Sequence, residues 1–321
     1  MAKDLAEGAT VYVTLEPCSH FGRTPPCSLA LIEAKVAKVI CAMEDPNPKV
    51  SGRGIRMLRE AGIDVQVGLL EQDAHQLNTA FIKRMKGTMP FVQLKMGASL
   101  DGQTALANGQ SQWITSPQAR RDVQVYRAKS CAVLSTSQTV IEDNASLNVR
   151  WEELPESVQS QYSKDLLRQP TRVILDSKAN LPEDAKLLST DGPVLLINGN
   201  VSSKITELQE STQQITRAVG PVDGQGQFKL RETFESLVRD HHINQLWVEA
   251  GATLASSLLK EQLVDEIVLY LAPKLMGSDG RGLFGALGLE SMADIIELDI
   301  TDIRKVGADI RIVAAVIYQE D

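Results

Sequence analysis

QLWVEAGATLASS, Gln245 to Ser257, is the stretch that predicts the fold class. Gln245–Glu249 is a short apolar run typical of a buried strand, Gly251 turns the chain, and small and hydroxyl residues then begin a helix. A strand that leads through a glycine turn into a helix is typical of α/β proteins with parallel sheets. N–H groups at such a helix start suit a phosphate, although a tight structural turn fits the same residues. The turn lacks G-x-G-x-x-G and is therefore no ordinary Rossmann fingerprint.

Composition limits the classes of function. The chain has 321 residues, of which 43% are hydrophobic and 23% charged, and its net charge is −8. This length predicts about two domains, and the acidic balance argues against a nucleic-acid partner. With no apolar run near the ~20 residues of a membrane span and no signal peptide, we expect no membrane partner and a cytoplasmic location. In that reducing setting the cysteines favour metal binding or catalysis over disulfides.

Strand and helix patterns alternate along the first part of the chain. Predicted strands are Ala9–Leu15, Lys38–Met43 and Val65–Val67, and predicted helices are Ser28–Lys35, Gly54–Ala61 and Glu71–Lys86. The break at Lys86–Pro90 predicts a domain boundary, with domains at 1–87 and 90–321.

A second α/β pattern follows this boundary. Its predicted strands are Phe91–Ala98, Cys131–Ser135, Arg172–Asp176, Val194–Asn198, Gln245–Glu249 and Glu266–Ala272, and its predicted helices are Pro117–Lys129, Leu230–Arg239 and Leu254–Glu261. Two β-rich runs within Ile295–Tyr318 predict an antiparallel hairpin at the sheet edge. The expected class is α/β, with a mixed sheet in the second domain.

Cys18 and Cys27 are candidate metal ligands. One follows a predicted strand and the other precedes a predicted helix, whose start would also lower a thiol pKa. Thiolates bind zinc well, but a catalytic zinc needs about three protein ligands. Two free thiols on a loop are an equally open interpretation.

Polar residues of the second domain suggest a ligand site. Lys95–Gly102 (KMGASLDG) ends a strand in small residues and an Asp-Gly turn, which suits either a ligand or a plain β-turn. Glu249 comes at the carboxyl end of a strand, where open α/β sheets bind ligands. A polar series follows the first of these stretches: Ser111, Trp113, Arg127, Asp143 and Arg150. Arginine suits bidentate phosphate binding, although each residue alone is more often a solvated surface residue.

Several motifs carry a family resemblance. T-L-E-P-C-S-H and G-R-T-P-P-C in the first domain are followed by K-x-x-A-S-L-D-G, G-x-S-x-W-I-T and W-V-E-A-G in the second. Together they resemble the bifunctional deaminase/reductases of riboflavin biosynthesis. The resemblance implies a cytidine-deaminase-like zinc domain followed by a dihydrofolate-reductase-like domain that uses NADPH.

For the first domain, the resemblance implies an incomplete site. The family carries a His-Ala-Glu motif upstream of the strand at Ala9–Leu15, with the His as third zinc ligand and the Glu as acid/base. The residues before that strand include Glu7 but no His. We therefore expect an N-terminally truncated, inactive deaminase domain with Cys18 and Cys27 as its metal ligands and His20 as a candidate stand-in. The alternatives are a fully bifunctional enzyme whose missing segment is supplied, and a non-catalytic zinc-binding protein.

For the second domain, the resemblance implies reduction of a phosphorylated pyrimidine ribosylamine by a homo-oligomer. The implied NADPH contacts are Gly97, Trp113, Thr139, Asp143, Ser177, Gly251, Ala252, Thr253, Leu254, Ala255, Ser256 and Ser257. The implied substrate contacts are Ser111, Arg127, Leu147, Arg150 and Glu249, with the arginines on the phosphate. Candidates for handling the proton are Lys95, Asp143 and Glu249, among which the sequence does not choose.

Overall fold

The computed structural model describes residues 3–22, 24–48, 50–199 and 215–319. The chain divides between Met89 and Pro90 into two compact units, both of α/β type. Within the described residues, no helix has the length and apolar character needed to cross a bilayer.

The first unit contains a three-stranded parallel sheet, in the order β1-β2-β3, among its described residues. Its strands are β1 (Thr10–Val13), β2 (Lys38–Cys41) and β3 (Asp64–Val67), and its helices are α1 (Cys27–Glu33), α2 (Arg53–Glu60), α3 (Glu71–Leu77) and α4 (Thr79–Lys86), with a short 3-10 helix at Lys3–Ala6. The core between sheet and helices is aliphatic, with Val39 and Leu58 fully buried.

The single helix predicted over Glu71–Lys86 is wrong, because the chain breaks at Asn78. The Asn78 side chain donates to the carbonyl of Ala74 at 2.8 Å, and its main-chain N–H bonds to the same carbonyl at 3.2 Å. An asparagine that bonds to its own preceding turn competes with helix continuation. The apolar spacing of three and four residues continues through α3 and α4, which is why periodicity alone did not reveal the break.

The second unit is larger and carries the candidate reductase motifs. Its strands are β4 (Phe91–Ser99), β5 (Gln103–Ala105), β6 (Ala132–Thr136), β7 (Thr171–Asp176), β8 (Val194–Asn198), β9 (Ile215–Val219), β10 (Gln245–Glu249), β11 (Glu266–Ala272), β12 (Arg281–Gly282), β13 (Glu297–Val306) and β14 (Asp309–Ile317). Its helices are α5 (Pro117–Lys129), α6 (Ser137–Asp143), α7 (Glu156–Gln159), α8 (Leu230–His241) and α9 (Ala252–Lys260). Short 3-10 helices lie at Trp151–Glu153, Lys164–Leu166, Lys186–Ser189 and Met292–Asp294.

The described strands of this unit form a nine-stranded mixed sheet in the order β13-β14-β11-β4-β10-β6-β7-β8-β9. The seven strands from β11 to β9 run parallel, and β13 and β14 form an antiparallel hairpin at one edge. The predicted α/β class, mixed sheet and edge hairpin are therefore confirmed. Strands β5 and β12 form a separate small pair.

Sheet order brings the sequence motifs together. Strands β4, β10, β6 and β7 are consecutive neighbours and parallel, so their carboxyl ends meet at one edge of the sheet. Lys95 and Gly97 lie toward the end of β4, Glu249 ends β10, and Ser177 directly follows β7. A ligand crevice in an open α/β sheet is expected at this edge.

Candidate active site

A buried ion pair between Glu249 and Arg127 lies at the centre of the site. The guanidinium of Arg127, from α5, donates through Nε and Nη2 to both carboxylate oxygens, at 2.6 and 2.9 Å. Both side chains are nearly buried, with 9% and 13% of their surface exposed. Burial alone would raise the pKa of Glu249, but Arg127, Lys95 and Trp247 together hold it at about 2. Glu249 is therefore a fixed anion at neutral pH.

Lys95 lies beside this pair. Residues Lys95 and Glu249 are direct neighbours in the parallel register of β4 and β10. The amine folds over Gly97, where an added Cβ would lie 3.5 Å from Nζ. Although Lys95 keeps some solvent-accessible surface, burial lowers its pKa, and Glu249 and Asp143 oppose that shift. The result is an amine whose proton is held less tightly than that of a surface lysine.

Asp143 ends α6, the short helix that follows β6. Thr136 caps the start of this helix by accepting from the N–H of Thr139, and the two hydroxyls lie 3.0 Å apart. Burial raises the pKa of the Asp143 carboxyl, and Glu142 adds to the rise, while Lys95 opposes it. Lys95, Asp143 and Glu249 thus influence one another electrostatically, as expected for residues of one site.

Gly251 and the start of α9 offer open backbone next to Glu249. A Cβ added at Gly251 would meet nothing within 4 Å, so there is free space beyond this residue. Helix α9 begins at Ala252 and has nine residues, and its first N–H groups have no partner within a preceding turn. This cradle fits a phosphate or pyrophosphate group of a dinucleotide.

Only some side chains of the predicted Gly251–Ser257 stretch are accessible to a cofactor. Leu254, Ala255 and Ser256 are buried, and the Ser256 hydroxyl accepts from the N–H of Gly285 at 2.8 Å. Thr253 is exposed and Ala252 and Ser257 are half-buried. The buried members pack the helix against the core, and contact from this stretch would come from its first turn.

Trp113 lies on the loop between β5 and α5, which also carries Ser111. Its side chain is 64% exposed, and the guanidinium of Arg120 lies 4.3 Å above its ring centre. Lys274 donates to the carbonyls of Trp113 and Ile114 at 2.8 and 2.7 Å. The aromatic ring is therefore held in place at the surface, available for contact with a flat group.

The two arginines assigned to a phosphate have different surroundings. Arg127 uses Nε and Nη2 on Glu249 and donates through Nη1 to the carbonyl of Asn148 at 2.9 Å, so its guanidinium is committed to protein groups. Arg150 is 40% exposed and forms a pair with Glu153, from Nε and Nη2 at 2.6 and 2.9 Å. Arg150 is the more accessible of the two.

The structure adds a local detail that the sequence did not predict at each of two residues of this site. Leu147 is buried and has a φ of +56°, a left-handed backbone that leucine rarely adopts. Asp101 accepts from the N–H groups of Met276 and Gly277, at 2.9 and 2.8 Å, and so ties a distant loop to the end of β4. The Asp101 contacts join residues 175 and 176 positions apart, for which no local sequence pattern exists.

The first unit brings the two predicted thiols together. The N–H of Cys27, the first residue of α1, donates to Sγ of Cys18 at 3.2 Å. The helix start does not lower the pKa of Cys27 as predicted, because its hydrogen bond with Cys18 and burial raise it. Among the described residues, no three His, Cys, Asp or Glu side chains converge on one point, so His20 does not complete the set. Two thiols alone do not fit a catalytic zinc, which needs about three protein ligands.

Glu16, in the T-L-E-P-C motif, has a structural role that the sequence did not indicate. Its buried carboxylate accepts from the N–H groups of Gly52 and Gly54 at 2.9 and 2.8 Å, and from Asp45 at 3.2 Å. A Cβ at Gly54 would lie 1.9 Å from the carbonyl oxygen of Pro17, so only glycine allows this approach. The motif therefore fixes the start of α2 against the thiol loop.

Comparison with known proteins gives consistent matches along the chain. Residues 90–312 match the family model of the RibD C-terminal domain. A riboflavin biosynthesis protein RibD of Haemophilus influenzae is 49% identical over 314 residues, which cover 97% of this chain and 81% of the relative. RibD of Escherichia coli is 48% identical over 310 residues, covering 97% of this chain and 83% of the relative.

Solved structures agree with these matches. A RibD structure of Acinetobacter baumannii superposes with a TM-score of 0.87 at 40% identity and covers 99% of this chain and 83% of its own. A diaminohydroxyphosphoribosylaminopyrimidine deaminase/5-amino-6-(5-phosphoribosylamino)uracil reductase of Thermotoga maritima gives 0.79 at 28% identity, covering 96% and 80%. These matches confirm the resemblance seen in the sequence motifs, and the chain belongs to the RibD family of riboflavin biosynthesis proteins.

Proposed function

We propose that the chain is an NADPH-dependent reductase of riboflavin biosynthesis that acts on 5-amino-6-(5-phosphoribosylamino)uracil. The observation that carries this proposal is the cluster of Lys95, Asp143 and the Arg127–Glu249 pair at the carboxyl ends of neighbouring strands, beside the open start of α9. Family membership supports the choice of reaction, since a relative of known structure is described as a deaminase and a reductase of this uracil.

The residues along the sheet edge divide between cofactor and substrate. Gly251 and the first turn of α9 would hold the pyrophosphate, with Gly97, Thr139, Asp143 and Ser177 along the same edge. Exposed Trp113 offers a flat surface for a ring. When bound, NADPH supplies the hydride that reduces the imine-like C1′ carbon of the ring-opened ribosylamine.

Lys95 is the group best suited to supply the proton that the substrate nitrogen takes up. Glu249 stays ionised because its pKa is about 2, so it cannot act as an acid near neutral pH. Lys95 carries a donatable proton, and burial lowers its pKa toward the working range. Glu249 then acts as a fixed acceptor that orients substrate hydroxyl or N–H groups.

Substrate contacts follow from the loop that runs from α6 to Arg150. Arg150 is half-exposed and paired with Glu153 through a contact that a phosphate could replace. Arg127 holds Glu249 and would reach the substrate through that carboxylate. Ser111 and Leu147 complete the proposed substrate set. The acidic chain thus binds an anionic small molecule through a local arginine.

The decisive experiment is an assay of the purified chain with the phosphoribosylamino-uracil, following loss of NADPH absorbance. We expect turnover, a preference for NADPH over NADH, and a loss of ~10²–10⁴-fold in kcat for Lys95→Met with little change in NADPH affinity. Lys129→Met, at an exposed lysine near the end of α5, is the matched control. Absence of NADPH oxidation by the wild-type chain would contradict the proposal.

The first unit is proposed as a cytidine-deaminase-like domain that is not catalytically competent in this chain. Zinc deaminases need a His/Cys/Cys or Cys₃ ligand set and a separate glutamate as acid/base. The described residues bring together Cys18 and Cys27 and no third ligand. The competing proposal is a fully bifunctional enzyme in which residues beyond those described complete the zinc set.

A homo-oligomer, dimeric or larger, is proposed from the exposed face of the β13–β14 hairpin. Leu298, Ile300 and Ile303 are 46%, 52% and 61% exposed, and their register partners Val316, Ala314 and Ile312 are also apolar. The register shift between Ile300 and Asp302 keeps these six side chains on one face of the sheet, where Ala314 is buried among larger exposed or half-buried neighbours. An exposed apolar face of this kind is typical of an obligate interface between copies of one chain. A cytoplasmic location remains part of this proposal.

A further inference from the structure

The carboxylate of Glu249 has a second support besides Arg127. The indole Nε1 of Trp247 donates to Oε1 of Glu249 at 2.9 Å, and the Trp247 side chain is fully buried. The same oxygen accepts from Nε of Arg127. Trp247 and Glu249 both belong to β10, two residues apart on the same face of the strand. Three N–H donors from α5 and β10 therefore fix both oxygens.

Trp247 is itself held by an aromatic and ionic stack. Its ring lies against Tyr126 with centroids 4.6 Å apart and planes 16° from parallel. Arg311, from β14, places its guanidinium 5.5 Å from the centre of the Tyr126 ring. The same guanidinium donates to the carboxylates of Asp122 and Asp302, at 2.7 and 2.9 Å. The ion pairs of Arg311 are thus linked through the Tyr126 ring to the Trp247 indole, which in turn binds the Glu249 carboxylate.

We propose that Trp247 is a positioning residue of the reductase site, which holds the Glu249 carboxylate in the orientation needed to receive substrate. This inference rests on the proposed function. The charged groups that interact with Glu249 come from three different elements: Arg127 from α5, Lys95 from β4 and Asp143 from α6. Trp247 is the neutral donor among them, and it restricts rotation without adding charge. Site groups need placement within ~0.5 Å, which such buried support supplies.

The test compares Trp247→Phe with Tyr126→Phe. Trp247→Phe keeps an aromatic ring against Tyr126 but removes the N–H that binds Glu249. We expect kcat to fall by about 10- to 100-fold, as for loss of a hydrogen bond to a charged group, with the NADPH dissociation constant unchanged. Tyr126→Phe keeps both the stack and the indole–carboxylate bond and should match the wild type.

Equal effects of the two substitutions on kcat, or a wild-type kcat in Trp247→Phe, would overturn the inference. A measurement that needs no enzyme activity tests the role of Trp247 separately from the proposed function. A double-mutant cycle on unfolding free energy with Trp247→Phe and Glu249→Gln should give a coupling distinct from zero. If the wild type lacks reductase activity but the coupling is present, the proposed function fails and the contact stands. Zero coupling overturns the positioning role in either case.

Discussion

Single residues in the reductase site are defined by the balance between burial and charge. Glu249 loses solvation on burial, which opposes its ionised form, and Arg127 more than offsets that loss. Lys95 lies next to the same carboxylate, yet burial is the larger effect on its amine and lowers its pKa. The same surroundings thus keep Glu249 ionised and loosen the proton on Lys95, which is the basis for proposing Lys95 as the proton donor.

Glu249→Gln should destabilise the second unit in a pH-dependent way. A carboxyl whose pKa is lowered to about 2 on folding adds stability that is fully present above its unfolded value and is lost as pH falls through its folded value. We expect a loss of roughly 3–5 kcal/mol at neutral pH, because the substitution leaves Arg127 buried without its partner. The difference from the wild type should shrink between pH ~4.5 and ~2.

Chemical denaturation of both proteins across this pH range measures the effect. Glu153→Gln is the control, because it removes the carboxylate of a more exposed Arg–Glu pair and should cost only ~1 kcal/mol or less. A stability difference between the wild type and Glu249→Gln that stays constant down to pH ~2 would contradict the low pKa of Glu249.

Helix starts and strand ends are the elements that build the ligand surface. Helix α9 begins where β10 ends, so the open N–H groups of its first turn come next to Glu249. Helix α6 starts directly after β6 and delivers Thr139 and Asp143 to the same edge. These two short connections, on neighbouring strands, bring the start of α9 and the end of α6 to the edge that holds the Arg127–Glu249 pair.

Gly251→Val should abolish measurable NADPH binding without unfolding the second unit. No protein atom lies within 4 Å of a Cβ at Gly251, so the valine side chain would occupy the open space that a phosphate needs. We expect affinity to fall by more than ~100-fold, about 3 kcal/mol, in a fluorescence titration with NADPH. Gly251→Ala should have a smaller effect, and both variants should keep the wild-type Tm. Wild-type affinity in Gly251→Val would remove this turn from the site.

At the scale of the whole molecule, the two units differ in how many candidate site residues they bring together. The second unit contains a nine-stranded mixed sheet with an ion pair, a lysine and a cofactor cradle at one edge. The first has a three-stranded sheet and a thiol pair among its described residues. The residues proposed for reduction are thus brought together in the second unit, whereas the described residues of the first unit bring together two of the proposed zinc ligands.

The 321-residue chain should release no measurable ammonia from the diamino-pyrimidine substrate and should keep less than one equivalent of zinc after dialysis. Two thiolates alone bind zinc weakly. General acid–base catalysis contributes ~10²–10⁴-fold in rate, and no described residue is proposed as the acid/base of the deaminase. Adding a segment that bears His-Ala-Glu should restore zinc retention and deamination together. Robust deamination with one tightly held zinc would contradict this expectation.

Ile303→Glu should convert the proposed oligomer to a smaller species. Ile303 is 61% exposed on the apolar face of the hairpin, where a buried carboxylate without a partner would oppose association. Sedimentation or light scattering measures the change in mass. Leu166→Glu is the control, since Leu166 is 72% exposed on a 3-10 helix outside this face and should leave the mass unchanged. A monomeric wild-type chain would refute the proposed interface.

Local patterns predicted most elements because they depend on local chemistry. The strands at Val194–Asn198, Gln245–Glu249 and Glu266–Ala272 and the helix at Pro117–Lys129 have the predicted bounds, since each has an apolar run or periodic face between clear breaks. The short helix α6 and the strands β5, β9 and β12 were missed. Each has seven residues or fewer, and none shows a clear periodic or uninterrupted apolar pattern that would separate it from a loop.

The sequence by itself determined the α/β class, the edge hairpin, the family and the motifs that end at the ligand edge. Only the tertiary structure decided how those motifs interact. It pairs Arg127 with Glu249, supports that carboxylate with Trp247, keeps Arg150 accessible and leaves His20 outside the thiol pair. Propensity and periodicity act over a few residues, whereas an ion pair between residues 122 positions apart depends on strand order and burial. Those depend on the packing of the whole sheet.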